Sequence, residues 1–248
     1  MLVLTADRSA GRSGMAVFKD GEAVCVKRWD TEPSRAPEWI AEAWQALAKA
    51  SIEISDIDRF ICGLGPGSFS GIRACLSALQ GMALPGGRPV YGMASAATLA
   101  LGQAHSAEVV TVTGDARRGR IWCVTYRIEK AATRVRLADG GMPSHTGDDF
   151  MLVKAGDLAE AVPEGTLIVS PEWTRLGQLL AETFPSERLV RRDVFPDVLD
   201  LGRLALSEPD VCATAPVPIY LHPAVATNPQ GEHHSSMSVT NDASPPQR

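Results

Sequence analysis

Hydrophobic and polar positions alternate with two different periods along the first hundred residues, which separates strands from helices. Period-two alternation predicts three opening strands, at residues 1–6, 14–19 and 22–29. The pair Asp20-Gly21 between the second and third strands is typical of a two-residue hairpin. Helical and strand patterns then take turns: helix 37–51, strand 59–64, helix 72–84, strand 89–93 and a helix that opens at Ser95. The first part of the chain therefore reads βββαβαβα.

A second unit of the same kind begins at residue 108. It opens with two strands joined by a turn, at residues 108–115 and 120–127, and the later patterns predict strand 166–170 and helices 172–183 and 195–207. Parallel strands joined by crossover helices form α/β sheets. We therefore expect two α/β domains, residues 1–105 and 106–226. The βββαβαβα order resembles each half of the actin, Hsp70 and sugar-kinase (ASKHA) architecture, which is ribonuclease H-like, with mixed sheets flanked by helices.

Between the central strand and the second helix lies the sequence GPGSFSGIR, residues 65–73, which we call the glycine elbow. Glycine has no Cβ and tolerates positive φ, so Gly65, Gly67 and Gly71 allow a sharp turn and a close approach by another group. Ser68 is placed to cap the helix. Helix N-termini can bind anions, but the spacing matches neither common phosphate-loop pattern. Two interpretations remain: a tight connection between packed elements, or a loop that binds phosphate or a partner.

The first two helices each carry a second apolar stripe beside the one that their own core requires. In the first helix, Ile40, Trp44 and Leu47 have the spacing of one buried face. The additional stripes are rich in small residues, which allow close packing of helices. They serve either packing inside the domain or docking of a partner protein, and the residues assigned to that partner surface are Trp39, Ala43, Ala46, Ala74, Ala78 and Gly81.

Composition and charge narrow the class of protein. The chain has 248 residues, 45% of them hydrophobic, and a formal net charge of −5. Without a long basic run, an independent nucleic-acid surface is not expected. No apolar run approaches the roughly 20 residues of a membrane-spanning helix, no basic leader precedes the first strand, and five cysteines without a Cys-x-x-Cys pair read as reduced core residues. We expect a cytoplasmic protein. Residues 227–248 lack apolar periodicity and predict a disordered tail.

The first strand of each unit ends in an aspartate, Asp7 in the first unit and Asp115 in the second. In two-domain phosphotransferases of this architecture, such positions face each other across a cleft and hold a metal or a water next to phosphate. Here the turns that follow, which contain Ser9 and Arg117, also contain bulky arginines where a phosphate would need close backbone approach. The turns are either vestigial phosphate loops or places where an aspartate satisfies turn amides.

Three short sequences resemble the TsaB (YeaZ) family. The glycine elbow, which ends in Arg73, matches the family hallmark GPGSFTGxR; residues 115–119 match DARxGE, with Arg120 in place of the final acid; and PIYL, residues 218–221, lies near the end. The order of elements agrees over residues 1–224. Two departures affect side-chain roles only: the family's Asp-Thr in the first loop is Asp7-Arg8 here, and its His-Ser before the first long helix is absent around residues 35–36.

The resemblance implies an accessory subunit of the bacterial machinery that makes N6-threonylcarbamoyladenosine at position 37 of tRNA. Such a subunit pairs with the transferase TsaD and is joined by the ATPase TsaE, so tRNA is reached only through the complex. It has no intrinsic cofactor, and ATP or ADP would bind only at the complex interface. Without its partner the chain could homodimerise.

Catalysis by the chain itself is not expected. The paralogue TsaD carries a His-x-x-x-His metal pair, and by hand alignment those positions are Gly92 and Ala96, neither of which can ligate a metal. An active small-molecule kinase or ATPase with Asp7 and Asp115 around Mg²⁺ and ATP is the alternative, but no glycine-rich adenosine segment occurs in the second half. An M22-type glycoprotease fails on the same missing metal ligands.

Overall fold

The computed structural model describes residues 1–30, 38–143, 146–209, 212 and 214–221. Within these ranges the chain forms two β-sheets with helices packed against them. The predicted disordered tail, residues 227–248, and the predicted start of the first helix at Pro37 lie outside the described residues.

The first sheet has the strand order β3-β2-β1-β4-β5. Strands β1, β4 and β5 are parallel, whereas β2 runs antiparallel to both β1 and β3. The predicted hairpin at Asp20-Gly21 is present, with positive φ at both residues. The order βββαβαβα is confirmed by the elements of this half: β1 (Leu2–Asp7), β2 (Arg12–Lys19), β3 (Glu22–Asp30), α1 (Glu38–Lys49), β4 (Arg59–Gly63), α2 (Phe69–Ala83), β5 (Val90–Met93) and α3 (Ser95–Leu101).

The second sheet repeats the plan of the first, with the order β11-β10-β6-β7-β8 and with β9 paired to the other end of β7. The predicted strands and helices of this half are present. Four short elements were not predicted, β8, β9, α4 and β11, because each has only four or five residues, at least one of them charged, and so shows neither a period nor an unbroken apolar run. The elements are β6 (Val109–Arg117), β7 (Arg120–Glu129), β8 (Arg134–Leu137), β9 (Met151–Lys154), α4 (Leu158–Ala161), β10 (Leu167–Ser170), α5 (Trp173–Thr183), β11 (Leu189–Asp193) and α6 (Val198–Ser207).

The last helix of each half packs against the sheet of the other half. Helix α6 covers β1 and β2, where the Thr5 hydroxyl donates to the Val198 carbonyl at 2.9 Å. Gly202 allows close contact with the first sheet, since a Cβ there would lie 2.1 Å from a ring carbon of Phe18. Helix α3 contacts β6, β7 and β8, and it also contacts α6. One hydrophobic core therefore runs through both predicted domains.

Helix α1 presents a different face to the core from the one its sequence predicted. Trp39 and Ala43 are 5% and 1% exposed, whereas Ile40 and Trp44 are 37% and 47% exposed. Leu47 is buried, as expected. The prediction that Ile40 and Trp44 face the core is wrong, and Trp39 and Ala43 take that place. The reason is tertiary: Trp39 packs edge-on against Trp29 of β3, with ring centroids 6.3 Å apart.

The remaining general expectations concern thiols and membranes. All five cysteines are free, and four of them are buried. Among the described residues, no helix is both long enough and apolar enough to cross a membrane.

Candidate functional site: the glycine elbow and the two aspartate turns

Asp7 ends β1 as a fully buried carboxylate whose oxygens are occupied by the chain itself. One oxygen, Oδ1, accepts hydrogen bonds from the Ser9 amide and the Ser9 hydroxyl, both at 2.7 Å. The other, Oδ2, accepts from the Ser95 hydroxyl at 2.6 Å. Burial raises the pKa of Asp7, although the hydrogen bonds from Ser95 and Ser9 oppose that rise. The geometry is that of an aspartate satisfying its own turn, one of the two interpretations that the sequence allowed.

Ser95, the first residue of α3, joins this turn to the glycine elbow. Its hydroxyl accepts from the Gly65 amide at 2.9 Å while donating to Asp7, and its own amide donates to the Gly65 carbonyl at 2.8 Å. Sequence reasoning marked Ser95 only as a helix start. The order of parallel strands could have predicted its place near Asp7, because Ser95 follows β5, whose carboxyl end lies beside those of β4 and β1.

The elbow lies directly on the first loop. The Ser68 amide donates to the Ser9 carbonyl at 2.7 Å. A Cβ at Gly67 would lie 2.0 Å from that same carbonyl oxygen, and a Cβ at Gly71 would lie 2.2 Å from the Arg8 carbonyl oxygen. Gly65 has φ +91°, and Ser68 caps α2 as predicted, accepting from the Gly71 amide at 3.2 Å. These contacts explain the glycines as a tight connection between packed elements.

Arg8, which stands where the family has Thr, is buried against α1. Its guanidinium carbon lies 5.1 Å from the centre of the Trp39 ring, a distance typical of cation–π contact. Removal from water lowers the pKa of Arg8 from its ordinary value. This arginine therefore packs within the first half of the molecule and helps to explain why Trp39 faces inward.

Asp115 also belongs to a local network, in the second half. Its Oδ1 accepts from the Arg117 amide at 2.7 Å, and its Oδ2 pairs with the guanidinium of Arg117 at 2.9 Å and with that of Arg175 at 3.4 Å. Glu172, which sequence reasoning missed, accepts from the Asp115 amide at 2.7 Å. Burial raises the pKa of Glu172. Asp115 thus caps its own turn and neutralises nearby arginines.

Arg73 joins the first and last of the motifs that resemble the family. Its Nε donates to the Tyr220 hydroxyl at 2.7 Å, and its guanidinium carbon lies 4.0 Å from the centre of the Phe69 ring. Behind this exposed stack, the Ile219 amide donates to the Leu64 carbonyl at 3.0 Å, and Ile219 itself is 4% exposed. The elbow and the PIYL segment therefore form one structure.

The positions aligned with the paralogue's metal ligands are filled by packing. A Cβ at Gly92 would lie 2.5 Å from a methyl carbon of Leu64 and 2.7 Å from the Cβ of Pro216. Ala96 is 1% exposed, inside the core. In the part of the chain that the structure describes, no three His, Cys, Asp or Glu side chains gather in a way that could hold a metal ion.

Comparison with known proteins gives matches of sequence and of fold. The family model described as "TsaD: tRNA N6-adenosine threonylcarbamoyltransferase" matches residues 37–139. The tRNA threonylcarbamoyladenosine biosynthesis protein TsaB of Escherichia coli is 28% identical over 130 residues, covering 51% of this chain and 55% of that protein. An uncharacterized protein of Mycobacterium leprae is 28% identical over 186 residues, covering 68% of this chain and 49% of that protein. The chain thus spans about half the length of these two curated relatives.

The fold match is more extensive. The crystal structure of YeaZ from Pseudomonas aeruginosa superposes with a TM-score of 0.69 at 22% identity, covering 88% of this chain and all of that one. A second structure, described as similar to the peptidase YeaZ, gives a TM-score of 0.71 at 22% identity, covering 89% of this chain and 99% of that one. The chain is therefore similar in sequence to TsaB of Escherichia coli and shares the fold of YeaZ. The two motifs that meet at Arg73 are two of the three by which the sequence resembles the TsaB (YeaZ) family.

Within this fold, the residues assigned to a partner surface separate into two groups. Trp39 and Ala43 are core residues, so their assignment to that surface is corrected, and Ala46 is half-buried. The α2 residues lie further out: Ala74 and Gly81 are exposed and Ala78 is half-buried. A Cβ at Gly81 would meet no atom within 4 Å. Large apolar side chains are exposed close to these positions along the two helices: Ile40, Trp44, Phe69 and Leu84.

Proposed function

We propose that this chain is a non-catalytic subunit of the assembly that makes N6-threonylcarbamoyladenosine at position 37 of tRNA. It pairs with a TsaD-like transferase, and a TsaE-like ATPase joins the pair. Sequence similarity supports a place in this pathway, since the E. coli relative is described as a tRNA threonylcarbamoyladenosine biosynthesis protein. The tRNA is bound through the complex.

The packing of the aspartate turns and of the aligned ligand positions supports a role without catalysis. Side chains and amides of the chain itself occupy the Asp7 carboxylate. At Gly92, where the paralogue has a metal-binding histidine, Leu64 and Pro216 leave no room for a side chain. A subunit that does not carry out the transfer can keep such a packed centre, because it needs only its outer surface.

The observation that carries the proposal is the exposed face of α2. Ala74 and Gly81 are small and open to solvent, and Leu84, just beyond the helix, is 79% exposed. On α1, Trp44 and Ile40 are exposed in the same way. Exposed large apolar side chains beside small residues favour close docking of a second helical surface. We assign the partner surface to Ile40, Trp44, Ala74, Ala78, Gly81 and Leu84.

The substitution Ala74→Arg tests this surface. Ala74 is exposed in the chain alone, so the variant should fold with an unchanged melting temperature. In the complex, a bulky cation would be buried without a counter-charge. The free energy of binding to the transferase should therefore become less favourable by at least a few kcal/mol. Calorimetric titration of the TsaD-like protein from the same organism measures the loss.

The matched control is Ala181→Arg, the same change at an exposed alanine of α5 in the second half. It should bind the transferase with native affinity. Native affinity of Ala74→Arg, or equal losses in the two variants, contradicts the surface. A wild-type chain that does not bind the transferase at all contradicts the proposed function itself.

A further inference from the structure

The hairpin between β6 and β7 gathers positive charge in an arrangement that costs stability. Arg117 of β6 is paired in register with Arg120 of β7, and Arg120 is paired in register with Lys154 of β9. Residues in register across neighbouring strands lie about 5 Å apart, so like charges placed opposite each other repel. We call these three residues, with Arg118 at the hairpin tip, the basic row. All four are exposed.

The backbone of the same hairpin is also unfavourable. Arg117 and Arg118 have φ +67° and +53°, two successive non-glycine residues in the left-handed region. Asparagine, aspartate or glycine usually occupies such positions, because other side chains are strained there. Local strain combined with charge repulsion indicates a site that is kept for a purpose other than stability.

One residue of the basic row departs from the family pattern. The family's DARxGE motif ends in an acid, whereas this chain has Arg120 at that position. An acid there would lie in register between Arg117 and Lys154 and would attract both. The arginine turns a favourable row of alternating charge into a row of cations, at the position where this chain departs from the family motif.

The carboxylates near the hairpin neutralise one member of the row, Arg117, and leave the other three without an ion pair among the described residues. Asp115 and Glu172 pair with Arg117 and with Arg175 of α5. No ion pair is formed by Arg118, Arg120 or Lys154 among the residues that the structure describes. The unpaired cations lie on an exposed hairpin and the strand beside it, where a Cβ at Gly119 would meet nothing within 4 Å.

From these observations we propose that the basic row contacts the phosphate backbone of RNA, namely the tRNA presented by the assembly of the proposed function, on which this inference rests. An open row of cations on an exposed hairpin suits a phosphate backbone, because phosphates are bound by accessible, positively charged side chains without an apolar pocket. A protein partner would need a desolvated apolar centre, and the hairpin tip offers none. Because the chain carries a net charge of −5, the row adds local contacts and does not hold RNA by itself at physiological salt.

The test removes two charges from the row without disturbing the turn. The variant is Arg118→Asn with Arg120→Gln, since Asn accepts the left-handed conformation. The matched control, Arg191→Gln with Arg192→Gln, removes two exposed charges from β11 at the opposite edge of the sheet. The probe is an unmodified tRNA transcript with adenosine at position 37. Fluorescence anisotropy follows its binding to the full chain at low ionic strength and, across a salt series, to the chain with its transferase.

The row variant should bind the transcript more weakly than wild type. The slope of log K against log salt should become shallower by about 0.7 to 0.9 for each lost contact. Its melting temperature should equal or exceed that of wild type, because repulsion and strain are relieved. The control should keep the wild-type slope. In a further variant, Arg120→Glu, restoring the family's acid should also raise the melting temperature and weaken RNA binding.

Any one of three results overturns the proposal. The wild-type chain does not bind the transcript at low ionic strength, or the row variant has the same affinity and salt slope as the control. The third is a row variant that binds RNA normally but loses affinity for the transferase or the ATPase. The last result would assign the row to a protein partner. RNA binding by the isolated chain is measured separately from binding of the chain to the transferase. Loss of RNA binding alone therefore contradicts the role of the basic row, whereas absence of transferase binding in calorimetry contradicts the proposed function.

Discussion

At the scale of single residues, Asp7 is where the chain departs most from a phosphate-binding site. Its carboxylate is buried and accepts three hydrogen bonds from Ser9 and Ser95. Burial without a cation disfavours the charged form, and hydrogen bonds to the carboxylate compensate only in part. The result is a raised pKa in the folded chain. This gives Asp7 a measurable signature in the dependence of stability on pH.

The substitution Asp7→Asn should change that dependence in a defined direction. The pKa of Asp7 in the folded chain is raised above its ordinary value of 3.8, so the folded chain favours the protonated carboxyl. The contribution of Asp7 to the free energy of unfolding is therefore largest below pH 3.8. It is lost as the pH rises through the raised pKa. The free energy of unfolding of Asp7→Asn, relative to wild type, should therefore increase between about pH 4 and pH 7. Urea unfolding at both pH values measures it; a constant difference, or one that moves in favour of wild type, contradicts the assignment.

At the scale of elements, the glycine elbow and the first loop form one packed unit, and this packing explains why the motif is rich in glycine. The elbow touches the backbone of Arg8 and Ser9 at distances where a Cβ would overlap with their carbonyl oxygens. Helix α2, which begins there, then has an inner face in the core and an outer face in solvent. Close packing therefore requires glycine at Gly67, at the start of this segment, whereas Gly81, near its end, has room for a side chain.

The same substitution at two glycines should show this difference. Gly67→Ala places a Cβ 2.0 Å from the Ser9 carbonyl oxygen and should lower the free energy of unfolding by roughly 1–3 kcal/mol or more. Gly81→Ala fills open space near the C-terminal end of α2 and should raise it by about 0.5–1 kcal/mol through helix propensity. Chemical denaturation of both variants measures the pair. Equal effects would show that the elbow is looser than described.

The order of elements was predictable from the sequence, because long strands and helices repeat their apolar pattern several times. The short strands β8, β9 and β11 were not, since each includes charged residues and shows neither a period nor the unbroken apolar run of the equally short β10. The inward face of α1 was predicted wrongly: Trp29 and Arg8, distant in sequence, draw Trp39 into the core. The elbow was located correctly, whereas Ser95 and Glu172 became site residues only when the topology brought them to Asp7 and Asp115.

At the scale of the whole molecule, two similar halves share one core because α3 and α6 pack across them. This interlocked arrangement buries the end of β1, where a phosphotransferase of related architecture would hold its substrate. The outer faces of α1 and α2 are left open, with Trp44 47% and Leu84 79% exposed. The exposed apolar side chains of α1 and α2, and not the buried centre, are therefore the surface to which the proposed partner would bind.

Reconstituted tRNA modification tests this account most directly. The TsaD-like transferase and TsaE-like ATPase of the same organism are incubated with a threonylcarbamoyl donor and an unmodified tRNA, with and without this chain, and modified adenosine is measured by mass spectrometry. We predict that the product forms only when the chain is present, that Ala74→Arg reduces it strongly and that Ala181→Arg does not. Full product formation without the chain, or with Ala74→Arg at native rate, would contradict the role of an essential docking subunit.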